Sequence, residues 1–237
     1  VTSGGLDIGN GNFLKIEDDG PTAATPNATL LGTLTPAVLD ESAKPAVGDG
    51  IYSATINVAA AFGTTAAGSY GTDGAGSTSY SVVLNGPGIG SGLFLLDPTD
   101  TDPTGGLGKG DEIILVDNNN GTVSGVAGLT TVFTISVNSS GVVTFAYSNQ
   151  TDPANIWHAS NPSGDDSASL LTSVSGALLV KQSITDADGD KVTSGGLDIG
   201  NGNFLKIEDD GPKAPTSGAS LDTLVLDESR PTGSDTT

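Results

Sequence analysis

The chain has 237 residues, with 28 acidic side chains against 8 basic ones and a formal net charge of -20 at pH 7. So acidic a surface argues against nucleic acid and anionic membrane as partners, because both are held by basic patches. There is no cysteine, which excludes disulfides and thiolate metal sites.

Methionine is absent too, and the chain opens at Val1 in mid-pattern, as expected of a piece excised from a longer protein. No secretory leader is visible, and no apolar run is long enough to cross a bilayer. The 35 glycines and 12 prolines, with abundant Ser, Thr, Asn and Asp, supply turn chemistry.

Residues 1–21 read VTSGGLDIGNGNFLKIEDDGP, and residues 192–212 repeat them without a change. Val38-Leu-Asp-Glu-Ser42 recurs in the same way as Val225-Leu-Asp-Glu-Ser229. Self-similarity of this kind marks a tandem array. The expected organisation is the end of a preceding repeat (1–21), a linker (22–37), one complete repeat (38–212), and a further linker with the start of the next repeat (213–237). The two linkers are assigned from their Pro, Thr and Ala content.

Within the repeat, short apolar–polar alternations predict strands at residues 51–58, 79–84, 112–116, 131–137, 142–147, 177–184, 196–199 and 203–207. Asp117–Gly121 and Asn138–Gly141 are hairpin signals. Residues 59–62 are too short for a helix, and 167–174 fit either a short helix or a loop. The expected fold is all-β, a β-sandwich of Ig-like or related Greek-key architecture with long loops.

The acidic residues fall in clusters. Asp186-Ala-Asp188-Gly-Asp190 is the sharpest. Alternate residues of an extended segment project to one side, so three carboxylates can converge, and Gly189 lets the backbone turn. Hard oxygen donors of this kind suit calcium. The spacing is not that of an EF-hand, because Gly189 is fourth rather than sixth and Leu197 stands twelfth. The bland reading is an ordinary acidic turn.

Glu208-Asp209-Asp210 and the identical Glu17-Asp18-Asp19 mark strand exits, and are candidates for a cation at the junction between repeats, with Asp40 and Glu41. A charged strand end is the alternative there. Asp97, Asp100 and Asp102 form a third, weaker candidate, about as well read as a solvated acidic loop.

The one histidine, His158, cannot build a multi-His zinc site, and nothing in the sequence places a serine and an aspartate beside it. Gly105–Gly110 lacks phosphate-loop spacing. No enzymatic activity is expected.

Taken in order, several segments resemble one family. They are Leu39-Asp-Glu-Ser, Tyr80-Ser-Val-Val-Leu84, Ser91-Gly-Leu-Phe94, Phe133-Thr-Ile-Ser-Val137 with Gly141-Val-Val-Thr144, Ile156-Trp-His158, Thr185-Asp-Ala-Asp-Gly-Asp190 and Ile207-Glu-Asp-Asp-Gly-Pro212. Together, over residues 38–212, they resemble the long tandem repeat of type I-secreted adhesins of the RTX class. The resemblance implies a calcium-stiffened extender on a Gram-negative cell surface, serving attachment and biofilm formation. The implied partners are neighbouring repeats of the same chain and calcium. A glycan- or peptide-binding module is the alternative, with Tyr52, Tyr70, Tyr147 or Trp157 stacking on a ligand.

Overall fold

The computed structural model describes residues 15–41, 50–63, 68–151, 153–159 and 165–210. The expected start of a further repeat, with Asp227 and Glu228, lies outside them, as do residues 1–14.

The described residues form thirteen strands joined by turns and loops. They are β1 (Ala37–Asp40), β2 (Ser53–Asn57), β3 (Ala75–Leu84), β4 (Ile89–Leu96), β5 (Lys109–Asp117), β6 (Thr122–Ala127) and β7 (Thr130–Val137). The rest are β8 (Val142–Tyr147), β9 (Asp165–Ser169), β10 (Leu178–Asp186), β11 (Lys191–Thr193), β12 (Leu197–Asp198) and β13 (Leu205–Asp210).

Six strands form an antiparallel sheet in the order β2-β8-β7-β6-β5-β4. β3 and β10 pair along their lengths, and β11 and β12 take successive parts of the other edge of β10. β3 crosses β5, β6 and β7, so the two sheets pack face to face as a sandwich. A third sheet, β1-β13-β9, flanks them. Within it β1 and β13 run parallel, with Asp40 level with Glu208.

Alternation decides which side chains enter the core. Along β8, Val143, Phe145 and Tyr147 are buried, as period-2 burial requires. Phe145 meets Phe133 edge to face at 5.0 Å. Asp117–Gly121 and Asn138–Gly141 connect β5 to β6 and β7 to β8. Asn138 Oδ1 accepts from the Ser140 and Val142 amides, a turn that favours this residue.

Residues 22–37, read from composition as a linker, are packed onto the domain. Ala24 and Leu31 are buried. A short helix, α1 (Ala28–Leu31), is capped by Asn27, whose Oδ1 accepts from the Thr29 and Leu30 amides. Thr22 and Ser69 exchange two backbone hydrogen bonds, at 2.8 and 3.1 Å. The Pro- and Thr-rich composition reflects turns on a core, because a few apolar anchors suffice to hold a segment down. Residues 167–174 open within β9 rather than in a helix.

Truncating Phe145 to alanine removes the ring packed on Phe133. The expected cost is about 3–5 kcal/mol, read as a fall in urea midpoint at unchanged slope. A cost under about 1 kcal/mol would mean the sheets do not pack through this pair.

Candidate metal centre

β10 reaches its end with a register shift between Thr185 and Asp186 against β3. A bulge of this kind re-aims a side chain. Gly76 of β3 lies against it, and a Cβ there would run into the backbone carbonyls of Asp186 and Thr185. Glycine is therefore required for the close approach that seats Asp186.

The chain then turns back to β11. Asp186 Oδ1 accepts from the Gly189 amide at 3.1 Å and the Asp190 amide at 2.7 Å. The Asp186 amide donates to the Asp190 carbonyl at 3.0 Å. The three acids therefore converge through a tight hairpin turn, and not through the extended segment read from alternation.

Among the described residues two groups of three carboxylates have oxygens all within 4.8 Å of one another. One is Asp186, Asp188 and Asp190, and the other is Asp18, Asp73 and Asp188. Asp188 belongs to both, so five acids surround one place. Asp186 is 3 % exposed, and its Oδ2 is buried without a hydrogen-bond partner. An ionised oxygen in that position is costly unless a cation or a proton meets it.

The neighbouring acids register the crowding. Hydrogen bonding to Asp18, then desolvation and the Asp18 charge, hold the Asp73 carboxyl above its ordinary value. Contact with Asp186 raises Asp188, and contact with Asp18 raises Asp190. Carboxyl groups hydrogen-bond to each other only by sharing protons, so these directions mark like charges held together. Asp73 was not legible in sequence, because more than 110 positions separate it from the Asp186–Asp190 hairpin.

Asp18 arrives from the segment preceding the domain. Gly20 lies beside Asp190, and Gly71, at φ +75°, lies against the carbonyls of Asp19 and Gly20. Glu17 and Asp19 are exposed and join neither three-acid group.

The other predicted acids fall elsewhere. Glu208 sits level with Asp40 across β1 and β13, and Asp209 level with Asp166 across β13 and β9. The Asp210 backbone pairs with that of Asp165, and the Asp210 side chain lies outside the described residues. Asp97, Asp100 and Asp102 accept from the amides of Thr99, Asp102 and Thr104 at 2.8–2.9 Å. Bonds to Thr99 and Thr104 hold Asp97 and Asp102 below their ordinary values. These acids cap their own loop, and they form no three-carboxylate group.

Glu41 enters a buried polar nest instead. Its Oε2 accepts from the Ile156 amide at 2.7 Å, and His158 Nε2 lies 3.8 Å from its Oε1. Burial, then the charges of Asp209 and Asp40 against the bond from Ile156, push Glu41 up to about 8. Burial holds His158 below its ordinary value and raises the Tyr147 phenol, with Glu41 adding to that rise. Glu41 and His158 are therefore both predominantly neutral at pH 7, and the 3.8 Å approach is not an ion pair. It is also too long for a hydrogen bond.

Trp157 packs edge to face on Phe94, and its Nε1 donates to the Leu107 carbonyl at 2.9 Å. Lys109 Nζ stands 3.8 Å from the Phe94 ring centre. The tryptophan thus pins the Asp97–Lys109 loop.

Between pH 4.5 and 8, unfolded Glu41 is ionised while the folded group keeps its proton. Its contribution to stability is complete below pH 4.5 and is lost as pH rises through about 8. Glu41→Gln keeps an acceptor for the Ile156 amide without a charge. The expected result is a gain on the order of 2 kcal/mol over the parent at pH 8 and little gain at pH 4.5, measured by urea unfolding. Equal stabilities at pH 8 would show that Glu41 titrates normally.

A family model described as "Domain of unknown function (DUF5801)" matches residues 36–200, well over half of the chain. No curated protein and no solved structure matches it. Among the described residues no helix is long and apolar enough to cross a membrane.

Proposed function

The chain belongs to the DUF5801 family, and we propose that it is a calcium-stiffened extender repeat of a large bacterial cell-surface adhesin. One observation carries this reading: Asp18, from the segment before the domain, meets Asp73, Asp188 and Asp190 of the domain body. A cation at that place ties the entering segment to the repeat.

The donor set supports calcium over other metals. All the groups are carboxylates, with neither thiol nor imidazole among them. Hard oxygen donors exclude the preferred sites of zinc and copper. Magnesium demands near-ideal octahedral geometry, whereas calcium accepts six to eight oxygens in irregular arrangements. Asp186 Oδ2 is the oxygen that most needs the ion. Asp18, Asp188 and Asp190 are the remaining ligands, and Asp73 closes the exposed side.

In this reading the repeat is a spacer outside the cell that holds ligand-binding domains away from the surface, for attachment and biofilm formation. The resemblance to type I-secreted RTX adhesins and the exact 21-residue repetition support that placement. Without calcium the acids repel and Asp18 loosens from the hairpin, while the Thr22–Ser69 pairing still holds the chain that follows. Millimolar calcium outside the cell would then set the angle after export. The glycan- or peptide-binding alternative is weaker, because Tyr52 and Tyr147 are buried and Trp157 is committed to Phe94 and Leu107.

Thermal unfolding in calcium and in chelator tests the reading. Calcium at about 100 times its Kd stabilises by about 2.7 kcal/mol, an expected rise of about 5–10 °C in Tm. Asp186→Asn retains the Oδ1 acceptor and removes the buried charge. It is expected to match or exceed the parent in chelator and to lose the calcium response. Equal melting temperatures of the parent with and without calcium would remove the mechanism.

A further inference from the structure

The same sequence occurs twice in this chain in two different surroundings. Residues 15–19 and 206–210 are both Lys-Ile-Glu-Asp-Asp. At the second occurrence the segment is β13, hydrogen-bonded to β1 on one side and β9 on the other, and Ile207 is 0 % exposed. At the first it forms no strand, and Ile16 is 102 % exposed. Intrinsic propensity cannot account for the difference, because the residues are identical. Only the neighbours differ.

The downstream end of the first occurrence is nevertheless docked. Asp18 meets Asp73 and Asp188, Gly71 abuts the Asp19 and Gly20 carbonyls, and Thr22 pairs with Ser69. One short segment thus has a seated end and, immediately before it, an exposed apolar side chain and two backbone edges with no partner strand among the described residues. What fits those edges is a parallel strand like β1 and an antiparallel strand like β9, over a core that takes Ile16.

We infer that residues 15–19 are the closing strand of a preceding copy of this unit, shared directly with the Asp186–Asp190 hairpin of the following one. Ile16 enters the core of the first unit and Asp18, two residues on, enters the acidic site of the second. At the rise of an extended chain these positions are roughly 7 Å apart. No spacer lies between them. The angle between units is set by a strand both units hold, and residues 22–37 belong to the body of the second unit. At the other end of the chain the residue equivalent to Asp18 in sequence is Asp209. This inference rests on the tandem-array part of the proposed function and is independent of calcium.

The test is a two-unit chain in which a copy of residues 22–191 precedes Val1, compared with the chain as it is, both in chelator. The amides of residues 16–19 are expected to exchange at least about 100-fold more slowly in the two-unit chain, as open segments gain the protection of paired strands. Ile16→Asp is expected to leave the Tm of the single-unit chain within about 1 °C, as for an exposed site. In the two-unit chain the same change is expected to lower the melting of one unit by about 10 °C or more, as for a charge placed in a core. Ile16→Ala gives a milder reading if the aspartate prevents that unit from folding. Equal exchange of residues 16–19 in both chains would overturn the inference, even if calcium raises the Tm of the single unit. Protection without any calcium response would uphold the shared strand and remove the cation reading alone.

Discussion

Like charge held at close range is the constraint from which the rest of this structure follows. Asp18, Asp73, Asp186, Asp188 and Asp190 crowd one end of the sandwich, and one of their oxygens is buried with nothing donating to it. Two chemistries relieve such crowding. Protons shared between carboxyls do so in acid, and this is what the raised Asp73, Asp188 and Asp190 express. A divalent cation does so at neutral pH, where carboxyl groups open to solvent readily surrender shared protons. The proposal that calcium fills this role follows from the donor set.

The fold serves that constraint by rigid positioning on one side and a docked strap on the other. β10 and β3 carry Asp186 on a paired, bulged strand end with no room at Gly76 for a side chain. The hairpin amides of Gly189 and Asp190 satisfy Oδ1 and leave Oδ2 buried without a donor. Asp18 comes from outside this framework, on a segment anchored through Gly20, Thr22 and Ala24. A metal at the site would therefore join two parts of the chain that the sheets alone do not join. That is the physical basis for the mechanical role we propose.

Much of the architecture was legible because it is local. The alternations at 131–137 and 142–147 and the Asn138–Gly141 turn encode the β7–β8 hairpin within a few residues, where side-chain period and turn chemistry decide the outcome. The sequence also places Asp186, Asp188 and Asp190 together and marks Asp18 as a junction residue. Long-range features were less accessible. Asp73 joins the site only because β3 starts beside the end of β10. The parallel pairing of β1 with β13 brings together residues more than 160 positions apart, and buries Glu41 next to His158 and Tyr147 in a nest that no motif announces. The reading of residues 22–37 as a linker failed because Thr and Ala dominate the composition, while two apolar anchors, Ala24 and Leu31, decide the packing.

A crystal structure grown in calcium addresses the central claim most directly. The account predicts one ion bound by Asp186, Asp188, Asp190 and Asp18, with six to eight oxygens at about 2.3–2.6 Å and Asp186 Oδ2 among them. Ordered carboxylates at this hairpin that touch only water in calcium-rich buffer would contradict it.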